Sequence, residues 1–200
     1  MVTVTIRTST TRVRLVEPGE TVLTVPYGAD SSPRERFVDL RENPGLINQI
    51  DGLQHRPALR EQIMLLNRRE SPFMTFACTA RTTRLFQHAG PPAWRTSSSV
   101  WLAFAGVARR NAHGYVALAR AFLDTLDTAG RADRCNSVIE LQPDPVVFDP
   151  GCPAWSMRLR TSGYGLDSRA AMLEWELCAR AQTELLGAWV AGACLRSTRI

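Results

Sequence analysis

A long helix is predicted near the end of the chain, over about residues 168–195, and it is the clearest element in the sequence. Asp167 stands at the N-cap position, where its side-chain oxygen can accept a hydrogen bond from a free backbone N–H of the first turn. Apolar side chains recur behind it at helical spacing, which predicts one buried stripe. That stripe consists of Leu173, Leu177, Ala181, Leu185 and Ala188.

Strand and helix patterns alternate along the rest of the chain. Strands are predicted within residues 2–27, then over Met74–Phe86, Val138–Leu141, Val146–Phe148 and Trp155–Arg160. Helices are predicted over residues 57–69 and 107–129, and residues 28–54 are predicted to form a loop with brief helical turns. These elements predict a single α+β domain over residues 1–200, with a mixed or antiparallel sheet and long amphipathic helices.

The positive charge of the protein is carried entirely by arginine. The chain has 24 basic side chains and no lysine, and its formal net charge is +5. The guanidinium group is a planar fork that binds phosphate and carboxylate groups through two hydrogen bonds, so anionic partners are favoured. Lysine chemistry, such as a Schiff base, is excluded. The arginines are scattered rather than massed in one run, which makes a nucleic-acid partner less favoured than a small anion.

Cysteine and histidine spacing gives no sign of a disulfide framework or a metal site. The five cysteines are widely spaced and form no CxxC pair, so free thiols are expected and no metal is predicted. The chain has no apolar run of about 20 residues of the kind that spans a membrane. The first residues alternate as a strand does and lack the apolar core of a signal peptide, so a cytoplasmic location is expected.

Two arginine-containing segments are candidate phosphate sites. Arg95 is followed by the hydroxyl-rich run Thr96–Ser99, a combination that can bind a phosphate group. The alternative is a polar turn that introduces a helix. Arg134 can also hold a phosphate, and the alternative there is a solvated loop cation. Residues 163–165, Gly-Tyr-Gly, are more typical of a turn than of a phosphate-binding loop.

Four short motifs follow one another over about residues 59–190. A predicted helix leads into Ser-Pro-Phe and a strand, and an aromatic residue, a histidine and a serine come next. A long predicted helix then precedes an arginine-containing segment, and the closing helix contains Ala-Gln-x-Glu-Leu. The residues concerned are Ser71–Phe73, then Phe86, His88 and Ser97, then Arg131–Arg134, then Ala181–Leu185. In this layout the chain resembles flavin-dependent thymidylate synthases, which carry motifs of these kinds in the same order.

The resemblance implies a homotetramer that alkylates a pyrimidine nucleotide at C5, with FAD and methylenetetrahydrofolate as the other participants. The partner would be an anionic nucleotide or a folate-type small molecule. Nucleotide-binding residues would be Arg95, Ser97, Ser98, Arg134 and Gln182, and cofactor-binding residues would be Ser71, Gln87, His88 and Arg180.

The sequence departs from the family pattern at three positions that carry its chemistry. Gln87 and Ala89 stand where the family has arginines that contact the flavin, and Glu176 stands where it has an arginine that orients the nucleotide base. These departures favour a divergent relative with altered chemistry. The alternative is a non-enzymatic α+β binding or assembly module without flavin.

Overall fold

The structure is a computed structural model, and it describes residues 5–7, 11–15, 22–25, 38–85, 93–106, 110–111, 113–120, 137–148 and 153–197. The strands are β1 (Thr5–Arg7), β2 (Thr11–Leu15), β3 (Leu23–Val25), β4 (Phe73–Leu85), β5 (Ala93–Phe104), β6 (Ser137–Phe148) and β7 (Pro153–Gly165). The α-helices are α1 (Pro57–Leu66), α2 (residues 113–120) and α3 (Ser168–Ser197). Two short 3-10 helices, Pro44–Gln49 and Leu53–His55, precede α1.

The seven strands form one mixed sheet, in which six strands follow the order β1-β2-β6-β7-β5-β4 and β3 pairs with β6. Four long antiparallel strands, β6, β7, β5 and β4, make up most of it. The short strands β2 and β3 both pair in parallel with the outer edge of β6, at different heights. The predictions of the α+β class and of a mixed sheet are therefore confirmed.

Strand β6 is continuous through two prolines, whereas the sequence predicted two short strands that end on either side of them. Pro143 and Pro145 pair with Met157 and Trp155 of β7. On its other edge β6 is paired with β2 up to Leu141 and with β3 from Val146 onward. The prolines, which lack a backbone N–H, thus occupy the stretch of β6 that has a described strand partner on one edge only.

Helices α1, α2 and α3 cover one face of the sheet, called here the helix face. Strand residues Val100, Leu102, Met157 and Leu159 point into the core on this side, together with the fully buried Trp175 of α3. Helix α1 lies within the range predicted for it, begins at Pro57 and buries Leu59, Ile63 and Leu66. In α2, Tyr115 is buried and its hydroxyl oxygen accepts a hydrogen bond from the backbone N–H of Phe104 (3.0 Å).

A second, smaller apolar cluster lies on the opposite face of the sheet. It is formed by Val25, Phe76, Ala103 and Val146, with the ring of Phe148 packed edge-on against Phe76. The guanidinium of Arg110 lies 4.2 Å from the centre of the Phe148 ring. This cluster covers one end of that face, and the other end is polar.

Helix α3 begins where the sequence predicts, because the Asp167 carboxylate accepts a hydrogen bond from the backbone N–H of Ala170 (2.8 Å). The predicted buried stripe of α3 is wrong in part. Leu185 is buried, but Leu173 and Leu177 are 58% and 44% exposed, and Ala188 is exposed as well. The helix instead buries a neighbouring stripe, consisting of Ala171, Trp175, Cys178, Gln182, Leu186 and Val190.

Residues 163–165 do not form the turn that the sequence predicted, because they end strand β7. A Cβ atom on Gly163 would lie 2.1 Å from the backbone nitrogen of Trp175, and one on Gly165 would lie 2.4 Å from that of Ala171. The two glycines therefore allow the backbone of α3 to approach β7 closely. No helix in the described part of the chain is long and apolar enough to cross a membrane.

Candidate functional site

The polar run Thr96–Ser99 lies in the middle of strand β5 and is not a turn before a helix. Successive strand side chains point to opposite faces of a sheet, so the run is divided between the two faces. Ser98 lies on the helix face, where its hydroxyl oxygen accepts a hydrogen bond from the indole N–H of Trp175 (2.9 Å). Ser97 and Ser99 lie on the other face, as does Arg95. The predicted phosphate-binding residues are thus separated by the pleat.

Arg95 and Ser97 form part of a polar patch on the sheet face that α1 and α3 leave uncovered. Residues paired across neighbouring strands share a face. Ser97 pairs with Arg81 of β4 and Ser162 of β7, Arg95 pairs with Tyr164, and Ser99 pairs with Arg160. We call this patch the arginine–serine face, and it consists of Arg81, Arg95, Ser97, Ser99, Arg160, Ser162 and Tyr164.

Two arginines at this side of the sheet, Arg158 and Arg160, are neutralised by carboxylates. Arg160 forms an ion pair with Glu140 (3.3 Å), and Arg158 forms one with the buried Asp144 (3.1 Å). Asp144 also accepts a hydrogen bond from the indole N–H of Trp101 (3.1 Å), and the Arg158 guanidinium lies 5.3 Å from that ring's centre. These contacts hold Arg158 in place and leave little of its charge for a ligand.

Arg81 and Arg95 carry the positive charge that remains on this face. Neither forms an ion pair with a described residue, and the Nε atom of Arg95 is buried without a hydrogen-bond partner among the described residues. Arg95 and Arg81 occupy diagonal positions on neighbouring strands, about 7–8 Å apart at the backbone. Both long side chains can therefore reach one anion. Arg84, on the same strand as Arg81, points to the helix face.

Gln182 lies in the core and belongs to a buried polar cluster. Its side-chain oxygen accepts hydrogen bonds from Gln62 of α1 (2.9 Å) and from the Thr161 hydroxyl of β7 (2.7 Å). All three side chains are buried, and the Gln182 Nε2 atom has no partner in the described part of the chain. Because Thr161 points to the helix face, this cluster is separated from the arginine–serine face by the thickness of the sheet.

The two described residues that the family resemblance assigns to the cofactor lie in different environments. Ser71 is buried at the start of β4, and its hydroxyl accepts a hydrogen bond from the Phe73 backbone N–H (3.1 Å). Arg180 lies on the exposed side of α3 and pairs with Glu176 (2.8 Å). Ser71 thus belongs to the core, whereas Arg180 is exposed to solvent. Arg134, Gln87 and His88 lie outside the described residues.

Several residues of the arginine–serine face were not predicted from the sequence. Arg81, Arg160, Ser162 and Tyr164 join it only because of the strand register. The single available signal was alternation, since Arg81, Thr79 and Thr83 occupy every second position of a strand pattern. Among the described residues no group of three His, Cys, Asp or Glu side chains is arranged to hold a metal ion.

Comparison with known proteins finds no relative of this chain. No protein-family model matches the chain, and neither a curated protein nor a solved structure does so.

Proposed function

We propose that the protein binds an anionic small molecule, and in the first instance a pyrimidine nucleotide, at Arg81 and Arg95 of the arginine–serine face. The observation that carries the proposal is the buried Nε atom of Arg95, which has no hydrogen-bond partner among the described residues, beside Arg81, which forms no ion pair with any of them. A buried donor without an acceptor costs free energy, and a phosphate oxygen would remove that cost. The net charge of +5 favours the approach of such a ligand.

The surrounding groups suit a phosphate ester better than a bare ion. Guanidinium groups bind phosphate through paired, charge-assisted hydrogen bonds. Next to them lie the hydroxyls of Ser97 and Ser162, which both donate and accept, and the ring of Tyr164. A ligand with a phosphate, a sugar and a planar base offers a partner to each of these groups.

The more specific proposal is that the bound nucleotide is alkylated at C5 with flavin and methylenetetrahydrofolate. Its support is the motif order that resembles flavin-dependent thymidylate synthases. Among the described residues Ser71 accepts a hydrogen bond from the Phe73 backbone and Arg180 pairs with Glu176, and we derive no step of this reaction from them. The alternative is a binding or assembly module that holds the anion without flavin.

Titration with dUMP tests the binding proposal. We expect wild-type protein to bind dUMP, and Arg81→Gln or Arg95→Gln to weaken binding about 10- to 100-fold, the effect of losing one charge-assisted pair. Arg84→Gln is the matched control, because it removes the same charge from β4 on the opposite face. Calorimetric titration at two salt concentrations gives the affinities. Equal losses in Arg84→Gln, or no binding by the wild type, would contradict the proposal.

An absorbance spectrum tests the flavin proposal separately. The absorbance of the purified protein is measured from 300 to 550 nm before and after incubation with FAD and removal of free FAD, because flavins absorb at about 450 nm. A retained flavin band supports the thymidylate-synthase chemistry. A colourless protein that still binds dUMP supports the binding module.

A further inference from the structure

The exposed side of α3 carries a regular row of residues, called here the outer ridge. Its members are spaced by four, four, three, four and four positions, and all of them are exposed. They are Arg169, Leu173, Leu177, Arg180, Glu184 and Ala188. Spacings of three and four positions place side chains on the same side of a helix. No described element of the chain covers the ridge.

The exposed leucines of the ridge are neighbours and form one apolar patch. Leu173 and Leu177 lie one turn apart and are 58% and 44% exposed, and Leu166, just before the helix, is 76% exposed. At the other end of the ridge the exposed side chain is the small Ala188. Adjacent exposed leucines on one helix face mark a contact surface more often than single ones do.

The ridge is complementary to itself when two copies run antiparallel. If the two-fold axis passes beside residues 176 and 177, each Arg169 lies opposite Glu184 of the second copy. The four leucines at positions 173 and 177 then lie within about 10 Å along the helix axes, given a rise of about 1.5 Å per residue. Leu166 lies beside Ala188 of the second copy, so a large side chain meets a small one. In a parallel pair Arg169 would instead face Arg169.

We propose that the outer ridge is the interface through which two copies of this chain associate, with their α3 helices antiparallel. Arg180 lies opposite Leu173 of the second copy, where its aliphatic stem covers the leucine while its head keeps its ion pair with Glu176. A two-fold interface of this kind uses the same patch on both partners, which is what the self-complementary ridge supplies. The dimer leaves the arginine–serine face free, because the ridge lies on the far side of the helix layer.

The first test is the mass of the full chain by light scattering after gel filtration. We expect a dimer for the wild type and an increase in the dissociation constant of at least about 30-fold for Leu173→Asp, as for other central apolar contacts. Met64→Asp is the matched control, because Met64 of α1 is 44% exposed, like Leu177, but lies off the ridge. A monomeric wild type overturns the proposal, and so does a dimer that survives Leu173→Asp.

A charge exchange tests the antiparallel arrangement. Arg169→Glu places two glutamates opposite each other at both ends of the interface, and Glu184→Arg places two arginines there, so each variant alone is expected to be monomeric. When the two variants are mixed, both contacts become attractive and a heterodimer is expected, which native mass spectrometry distinguishes by mass. Failure of the mixture to pair, or homodimers of either variant, overturns the antiparallel arrangement.

Discussion

At the scale of single residues, Ser97 and Ser98 are neighbours in the chain with different environments. Ser98 accepts the only described hydrogen bond of the buried Trp175 indole, whereas Ser97 lies on the arginine–serine face between Arg81 and Ser162. The sequence marked both serines as nucleotide-binding. It could not assign them to different faces, because the face of a strand residue depends on what the whole sheet packs against.

Alanine substitutions at these two serines are therefore expected to have opposite effects. Ser98→Ala leaves the indole N–H without an acceptor and should lower the free energy of unfolding by about 1–3 kcal/mol with dUMP affinity unchanged. Ser97→Ala, which removes no hydrogen bond to the indole, should lower the free energy of unfolding less than Ser98→Ala does and should weaken dUMP binding. Urea denaturation and calorimetric titration on both variants measure the two quantities. The same pattern of effects in both variants would contradict this division.

At the scale of elements, the position of α3 depends on the glycines of β7. Gly163→Ala would place a Cβ atom 2.1 Å from the Trp175 backbone, so the helix or the strand must move. We expect a loss of about 3 kcal/mol or more in the free energy of unfolding, measured by urea denaturation. Gly45→Ala is the control, since a Cβ there meets nothing within 4 Å. A small loss in Gly163→Ala, similar to that of the control, would contradict this packing.

Most elements could be predicted from the sequence because their signals are local. Capping by Asp167, the proline at the start of α1 and the alternation in β4 all act within a few residues. The predictions that were wrong concern features that depend on residues distant in the sequence. The buried side of α3 was placed on Leu173 and Leu177 because leucine is more apolar than alanine or glutamine. The helix instead buries Ala171, Trp175 and Cys178, together with Gln182, whose oxygen accepts hydrogen bonds from Gln62 and Thr161.

The candidate site was predicted less well than the fold, for a related reason. Only Arg95 and Ser97 of the predicted site residues lie together in the described structure, and they are two positions apart in one strand. Their partners Arg81 and Tyr164 come from other strands through a register that no local pattern specifies. The prolines of β6 led to the wrong prediction of two separate strands. The free energy that a proline costs in a strand depends on which edge of the strand is paired, and the sequence does not show this.

At the scale of the whole molecule, a partly buried thiol and a buried phenol link stability to pH. Burial raises the pKa of Cys78 from 9.0 to about 11 and that of Tyr115 from 10.0 to about 12. The unfolded chain releases both protons at lower pH than the folded chain does. Their contribution to stability is therefore fully present below about pH 9 and is lost as the pH rises through 11 and 12.

Urea denaturation across this pH range should show the midpoint falling from about pH 9 upward. Cys78→Val removes one of the two groups, so the midpoint of this variant should fall less between pH 9 and 11 than that of the wild type. Identical profiles in the two proteins would show that Cys78 ionises equally easily in the folded and unfolded chains.

The parallel pairing of β2 with β6 also sets an order of events during synthesis. Thr11 pairs with Ser137, so β2 must wait for most of the chain before its parallel partner exists. At translation rates of about 5–20 residues per second, that interval lasts on the order of 10 s. During it β2 has only the three-residue strand β1 beside it, and one of its edges remains open to wrong partners. The segment that is made early is thus completed late, and a chaperone that binds nascent chains would act on it in this interval.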